Sequence, residues 1–507
     1  MSDLAGWIGR HAEATPDKTA LRFEGAEINY AGLAARIDAA ARALTREFGI
    51  ARGDRIAHLG LNHPDMLVLL FACARLGAIL LPLNWRLAPP EHRFILADSR
   101  PKLLVAAADF AAEVAAIGPE ANAVPTLGLG ADISGWPSFE ALVRAAGGAG
   151  SGGGSGDDPV LLVYTSGTTG RPKGALLTQA NLHWNAANSI DMHALGADDH
   201  VLTTIPMFHV GGLNIQTLPA LQVGATVTLH QRFVPGATLA AIAGDRPSLT
   251  VLVPAQMTAL FDDPGWATAD LSSLRLVTTG STTVPVPLIR RLHERGVPVI
   301  QVYGATETAP VVVYQTREDA ERRIGSAGRA GRYSEMRLVD AAGAEVSRGQ
   351  PGEILIRGPQ VMREYWGDPD GTAAVLRDGW FHTGDIGHTD AEGWLYVDDR
   401  KKDLIISGSE NIYPAELETV LAECDAIAES AVVARHDERW GEVPVAAVVL
   451  RDAGAMDRTA VLTLFEGRIA RFKHPRDVVF LPALPRNAMG KVQKFRLREM
   501  VAESGGG

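Results

Sequence analysis

Short apolar runs recur through the middle of the chain, at Val160–Tyr164, Val201–Ile205, Ala225–Leu229, Leu249–Val253, Leu274–Thr278 and Val297–Val302. Stretches with helical spacing, such as Val286–Arg295, separate several of them. Strands alternating with helices predict an α/β fold with layered sheets. The most apolar stretch is Met66–Leu83, with Arg75 inside it, Gly77 just beyond and Pro82 near its end. That punctuation predicts a buried helix, Met66–Leu76, then a buried strand, Ala78–Leu81, rather than a membrane span. After about Asp399 the texture changes. Tyr413–Cys424 reads as an amphipathic helix opened by Pro414, and Arg458–Phe472 as a second helix. Ser430–Ala434, Val443–Leu450 and Asp477–Leu481 read as strands. About 100 residues of mixed α and β suffice for a small domain of their own. The expected organisation is therefore a large N-terminal domain, 1–399, and a small α+β C-terminal domain, 400–507. Gly147–Gly156 is a flexible Gly/Ser segment, either a linker or a surface loop. No fixed-period repeat is found.

Composition narrows the function classes. The 507 residues carry a formal charge of −11, a poor match for general nucleic-acid binding. Only Cys73 and Cys424 occur, which excludes a disulfide framework or a cysteine-rich metal site and fits a reducing compartment. Met1–Arg10 lacks a basic start followed by an apolar core, so no signal peptide is expected and the protein is read as cytoplasmic.

The candidate chemistry begins where Val160–Tyr164 runs into Thr165, Ser166, Gly167, Thr168, Thr169, Gly170, Arg171, Pro172 and Lys173. Glycines admit backbone N–H groups to a polyphosphate, hydroxyls donate, and lysine adds charge. The Walker spacing fails, because Pro172 stands five residues after Gly167. On composition alone a plain surface loop is equally good. Further along come Pro206-Met-Phe-His209-Val210-Gly-Gly212, then Thr278-Thr-Gly280-Ser281-Thr, then Gln301-Val-Tyr303-Gly304-Ala-Thr306-Glu307-Thr308. Trp380-Phe-His-Thr-Gly-Asp385, Asp399-Arg400-Lys-Lys402-Asp403, Gly408-Ser-Glu410 and Pro485–Lys494 with Lys491 complete the series. Taken singly, most are bland: a lone histidine is usually structural, and a terminal lysine usually solvated.

Together, in this order, the motifs resemble the adenylate-forming superfamily of acyl-CoA synthetases, luciferases and peptide-synthetase adenylation domains, over about Ala14 to Arg498. The resemblance implies ATP, Mg2+ and coenzyme A as cosubstrates and cofactor. It assigns Thr165–Gly170 and Lys173 to the phosphates, Gly280, Ser281, Tyr303 and Gly304 to the adenine side, and Thr306 to phosphate. Asp385 would bind the ribose hydroxyls, Arg400 the nucleotide, and Glu307 a magnesium ion, which favours few carboxylates plus phosphate oxygens. Lys491 matches the catalytic lysine, Lys402 the hinge, and His209 the edge of the acyl tunnel. Gly408 would line the thiol's tunnel, where Ser409 replaces a glycine common in the family.

The acyl pocket is expected at Val210, Gly212, Pro254, Pro310 and Val311, without a Lys or Arg to pair a second carboxylate. Gly211 and Gly212 are read as leaving room for more than acetate. A medium- or long-chain fatty acid is placed slightly ahead of an aryl acid of the ferulate or benzoate type. Sixteen residues follow Lys491 with no carrier domain, which favours a freestanding CoA ligase over a carrier-loading module. A homo-oligomer and control by acetylation of Lys491 stay open. Five site segments begin at Thr165, Pro206, Pro254, Thr278 and Tyr303, each at the carboxyl end of an expected strand. They are therefore expected to converge on one sheet edge.

Overall fold

A computed structural model of the chain describes residues 4–129, 135–146, 152–165, 172–280, 284, 286–340, 342–400, 405–408, 410–412, 414–452, 454–485, 492 and 494–504. It divides into two compact units. The first comprises Met1–Trp85, Leu96–Tyr164 and Gly174–Asp399, and the second Arg86–Ile95, Thr165–Lys173 and Arg400–Gly507. Two segments that the sequence reading gave to the N-terminal domain thus group with the C-terminal residues. Lys402, expected at a hinge, and the stretch 147–151 of the Gly/Ser segment lie outside the described residues.

Among the described residues the first unit holds three sheets. The largest has nine strands, six of them parallel: Val299–Tyr303, Leu276–Thr279, Leu249–Val251, His200–Thr203, Thr226–Leu229 and Thr19–Phe23 in spatial order. A parallel sheet must be covered on both faces, and alternation along each strand achieves it. Val201, Leu276 and Ile300 enter one core, while their neighbours Leu202, Val277 and Val299 enter another with Met257, Leu260 and Ile289. The first core also takes in Ile56, Leu80 and Val160 of a seven-stranded sheet. The helix Pro64–Leu76 contributes Met66 through Ala74 to that core. A helix apolar all round belongs inside a core. His63 opens it, its side chain accepting from the Asp65 N–H, and Gly77 at φ 69° closes it. The buried-helix reading of Met66–Leu76 therefore holds, and the strand that follows is Ile79–Pro82. Among the described residues, no helix is long and apolar enough to cross a membrane. The third sheet is antiparallel, built on Glu335–Val339, Gly352–Arg357 and Trp380–Thr389.

In the second unit Ile427–Asp437 and Gly441–Leu450 form a long antiparallel pair, with Asp477–Phe480 parallel to the latter. Val432, Ala446 and Val448 face the helix Pro414–Ala422, and Val433, Val445 and Ala447 face the helix Lys494–Ser504. The helix expected over Arg458–Phe472 is shorter: it runs only Arg458–Thr463. Beyond it the backbone closes i to i+3 bonds, Leu464 to Val461 and Arg468 to Phe465, and Gly467 takes φ 67°. Such tight turns cannot propagate an α-helix.

One expectation is corrected. Strand Pro159–Thr165 belongs to the seven-stranded sheet, whereas the other four site segments follow strands of the nine-stranded one. The five therefore do not share one sheet edge. Similar apolar strands from two parallel sheets cannot be told apart by composition.

Candidate functional site

The carboxyl ends of the parallel strands carry most of the sequence-predicted residues. Gly280 follows Leu276–Thr279, and a Cβ there would stand 2.4 Å from the Val302 carbonyl oxygen. Gly304 follows Val299–Tyr303, where a Cβ would stand 1.7 Å from the Pro310 oxygen. Both positions need glycine because backbone approaches backbone. The close approach at Gly304 lets the chain double back, so that Tyr303 pairs antiparallel with Val313. The Tyr303 hydroxyl donates to Asp385 Oδ2 at 2.8 Å, joining residues 82 apart in sequence. Asp385 is buried, and its own N–H donates to Thr383 Oγ1 at 3.0 Å. An aromatic ring and a fixed carboxylate side by side suit a nucleoside: the ring offers a face, the carboxylate accepts two hydroxyls.

Thr306 and Glu307 lie in the short 3-10 turn Thr306–Thr308. Thr308 Oγ1 accepts from the Ala305 N–H at 2.9 Å, holding the turn. The Tyr365 hydroxyl donates to Glu307 Oε1 at 2.7 Å, and the Met362 N–H donates to the Glu307 carbonyl at 2.7 Å. Tyr365 pairs across strands with Ala175, two residues past Lys173, so it ties the Glu307 turn to the strand Lys173–Thr178. The sequence reading missed Tyr365, because nothing in its local pattern marks a partner 58 residues away. Among the described residues no group of three or more His, Cys, Asp or Glu could hold a metal ion. Glu307 fits the alternative: one anchored carboxylate, with a magnesium ion drawing its remaining ligands from phosphate oxygens.

The acyl-side residues are organised by the helix Gln179–His193. Asn185 and Asn188, one turn apart on it, clamp both backbone groups of Val311. The Val311 N–H donates to Asn185 Oδ1 at 2.8 Å, and Asn188 Nδ2 donates to the Val311 carbonyl at 2.9 Å. Asn185 Nδ2 also donates to the Asn214 carbonyl at 2.8 Å. One helix face thus fixes the Val311 segment and the turn that follows His209. Val210, Pro310 and Val311 are buried, and Pro254 opens the helix Pro254–Phe261. His209 is exposed; its Nδ1 accepts from the Gly211 N–H at 3.1 Å and caps Val210–Gly212. Gly212 does not open space as expected: a Cβ would stand 2.2 Å from the Pro206 oxygen, so its missing side chain admits backbone.

Beneath this turn lies a buried polar network. His193 Nδ1 stands 2.8 Å from the Ser189 carbonyl, which can only accept, so the proton sits on Nδ1. Nε2 is then the acceptor, 2.7 Å from Thr278 Oγ1 and 3.1 Å from Gln216 Nε2. Burial first, and Arg275 further, depress the imidazole pKa to about 4, so the ring is neutral.

In the second unit Thr165 ends the strand Pro159–Thr165, its Oγ1 3.5 Å from the Lys173 carbonyl. Gly408 takes φ 54°, donates its N–H to the Trp440 carbonyl at 2.9 Å, and would place a Cβ 2.6 Å from the Trp440 ring. The ring's approach and the positive φ both call for glycine here. Arg400 ends the strand Leu395–Arg400. Ser166, Gly167, Thr168, Thr169, Gly170, Ser281, Lys402 and Lys491 lie outside the described residues.

A three-sheet α/β unit with these turns, followed by a small α+β module, is the architecture of enzymes that activate acids on a nucleotide. The chain belongs to the AMP-binding enzyme family, whose model matches residues 8–366, with the AMP-binding enzyme C-terminal domain at 416–491. It is 54% identical to an indoleacetate–CoA ligase of Aromatoleum aromaticum, over 99% of this chain and 98% of that one. It is 42% identical to a feruloyl-CoA synthase of an Amycolatopsis species, with 98% of each chain covered. A long-chain-fatty-acid–CoA ligase of Mycobacterium tuberculosis is 35% identical, again over 98% of each. Among solved structures, o-succinylbenzoate CoA synthetase of Bacillus subtilis, bound with a product analogue, superposes with a TM-score of 0.87. It is 32% identical, over 97% of this chain and 98% of that one. The protein is thus an AMP-forming acyl- or aryl-acid–CoA ligase, and its substrates are a small carboxylic acid, ATP and CoA.

Proposed function

We propose that the acid is an aryl acid with its carboxylate on a short linker, of the indoleacetate kind. The observation that carries this reading is the 54% identity across the whole chain to an indoleacetate–CoA ligase, against 35% for the fatty-acid enzyme. The aryl acid therefore takes precedence over the fatty acid that sequence alone put first. The apolar, uncharged Val311–Val313 segment supports either acid and disfavours a second carboxylate.

A carboxylate acylates poorly because its leaving group would be oxide. In the first step the acid's carboxylate oxygen attacks the ATP α-phosphorus, and pyrophosphate leaves. Tyr303 and Asp385 hold the nucleoside; Thr165–Gly170, Lys173 and Thr306 hold the phosphates. Arg400 contacts the nucleotide, and Lys491 bridges carboxylate and α-phosphate. A magnesium ion, when bound, neutralises charge on the phosphates, and Glu307 is the side chain that would hold it. Crowded negative charge makes positioning and cations the main source of rate. In the second step the CoA sulfur attacks the acyl carbon, and AMP leaves with the bonding electrons. Cys73 is buried, with its thiol pKa pushed up by burial, and Cys424 lies in none of the motifs, so the nucleophile is assigned to the cosubstrate. The C-terminal residues turn about Lys402 between the steps.

The test is AMP release across indole-3-acetate, phenylacetate, ferulate, benzoate and C4–C16 fatty acids, with and without CoA. Highest kcat/KM on an aryl acid, dependent on CoA for thioester, is expected. Preference for a fatty acid, or thioester formed only on a carrier protein, overturns the reading. Lys491→Ala should slow the adenylation step by about 3–4 kcal/mol of barrier, read as pyrophosphate exchange.

A further inference from the structure

Between the strands Gly352–Arg357 and Glu364–Tyr365 the chain crosses from the antiparallel sheet to the seven-stranded one. This strap reaches Glu307 at two points. The Met362 N–H donates to the Glu307 carbonyl and the Tyr365 hydroxyl to its Oε1, each at 2.7 Å. The far end of the strap is fixed by the seven-stranded sheet. There the Arg363 N–H donates to the Leu176 carbonyl at 3.0 Å, and the Trp366 N–H to the Gly174 carbonyl at 2.7 Å. The near end is irregular backbone without a ladder, so its carbonyls need other donors. Asn181 supplies two: its Nδ2 donates to the Pro359 carbonyl at 2.8 Å and to the Val361 carbonyl at 2.7 Å. Asn181 is buried, and its Oδ1 accepts from the Thr178 N–H at 2.8 Å. The Asn181 N–H in turn donates to Thr178 Oγ1 at 3.1 Å, completing a capping box at the start of the helix Gln179–His193. That box needs only an acceptor from this side chain, which an acidic residue would supply equally. The strap needs two donors besides, and a carboxamide is the side-chain group that offers both without a charge.

We propose that Asn181 is a positioning residue for the metal: by fixing the near end of the strap it sets the Met362 and Tyr365 bonds that aim the Glu307 carboxylate. The proposal rests on Glu307 as the magnesium carboxylate and adds what holds that carboxylate in place. Asn181 acts through the strap and takes no part in bond making. Groups that orient a metal's ligands govern its affinity nearly as strongly as the ligands do. Tyr365 is one bond from the ligand, and Asn181 stands one step behind it.

The test is a Mn2+ titration, read by electron paramagnetic resonance, of the full-length enzyme saturated with α,β-methylene-ATP, whose α–β link cannot be cleaved. Asn181→Asp keeps the acceptor for Thr178 and loses both donors to the strap. Its Mn2+ dissociation constant should rise about three- to tenfold, less than the roughly 10- to 100-fold typical of a group bonded to the ligand itself. Its affinity for AMP, which needs no metal, should be unchanged. In the metal-free variant, peptides covering 358–366 should exchange hydrogen faster than in wild type. Should the aspartate protein not fold, Asn181→Ala is compared with Thr178→Ala, which removes the other half of the capping box and leaves the strap bonds. Mn2+ binding should then weaken in Asn181→Ala alone. Equal weakening in both, or unchanged Mn2+ affinity in a folded Asn181 variant, overturns the proposal. So does a parallel loss of AMP affinity, which marks a general loosening of the fold. Glu307→Gln is titrated alongside. If it binds Mn2+ as wild type does, the metal reading of Glu307 falls and takes the proposal with it. If it weakens Mn2+ while Asn181→Asp does not, only the part given to Asn181 falls.

Discussion

Glu307 has one oxygen tied to the Tyr365 hydroxyl at 2.7 Å, so the carboxylate proposed for magnesium is aimed by a phenol. Tyr365→Phe removes that bond and keeps the ring. The expected outcome is a higher magnesium requirement and a loss of about tenfold in pyrophosphate exchange, about 1.4 kcal/mol, the worth of one hydrogen bond to a charged group. A magnesium titration of both proteins checks it; an unchanged half-saturation point denies Tyr365 this part. Tyr303→Phe is the parallel case on the nucleoside side. Asp385 loses the donor at 2.8 Å, and KM for ATP should rise about five- to tenfold while kcat changes less. Residues at this scale divide in legibility. Tyr303 and Asp385 were readable because each sits in a dense motif. Tyr365, Asn185 and Asn188 act through side-chain bonds to distant backbone or carboxylate, and such bonds leave no mark on local pattern.

Elements show where pattern reading succeeds and where it stops. The helix Pro64–Leu76 was legible since an apolar run bounded by Pro64 and Gly77 has one economical solution. Every strand expected in the middle of the chain exists, with its ends displaced by a residue or two, and Pro159–Thr165 is longer than expected at both ends. Assignment of those strands to sheets was not legible, because Val160–Val163 and Val201–Leu202 are equally apolar and pair through long-range register. The helix expected over Arg458–Phe472 ends at Thr463, where apolar spacing continues but the backbone tightens and then turns at Gly467. The C-terminal helix Lys494–Ser504 illustrates anchoring. Its first residue, Lys494, donates to Glu418 Oε1 at 2.7 Å and to the Val432 carbonyl at 3.2 Å. The same Glu418 oxygen accepts from the Val432 N–H at 2.8 Å. Lys494→Met should therefore loosen the helix from its sheet and cost about 1–2 kcal/mol, the pair being partly exposed. Hydrogen exchange over 494–504 is the measurement; faster exchange confined to that helix is expected, and unchanged protection would show the ion pair idle. Lys494 is three positions after Lys491, so adenylation should slow more than thioester formation.

At the level of the whole molecule the two units differ in how protons enter them. In the first unit His58 and His193 are fully buried, and burial depresses their pKa values to about 3 and about 4. His63, His183, His200, His230 and His293 move in the same direction, burial again the leading cause. A depressed histidine contributes stability that is present above its unfolded value of about 6.5 and lost as pH falls toward the folded value. Between pH 7.5 and 5, His58 and His193 should each withdraw about 2 kcal/mol from the first unit. The second unit holds the opposite device. Lys473 is buried between Glu91 Oε1 at 2.6 Å and Glu416 Oε1 at 2.9 Å, one cation for two carboxylates. Burial pushes Glu416 up to about 7, with Lys473 opposing and Glu91 reinforcing the rise. A raised carboxyl contributes stability that is full below its unfolded value near 4.5 and lost as pH climbs through about 7. Acidification from 7.5 to 5 should therefore weaken the first unit and strengthen the second. Brief heating at each pH, then pulse proteolysis with peptides mapped by mass spectrometry, reads the units separately. Peptides from Pro64–Leu76 should appear at lower temperature at pH 5, and peptides from Ile427–Asp437 at the same or higher temperature. His193→Gln should reduce the acid sensitivity of the first set alone, and Glu416→Gln should remove the pH response of the second. Parallel shifts of both sets in all three proteins would mean that the units melt as one and that these buried groups do not set the response.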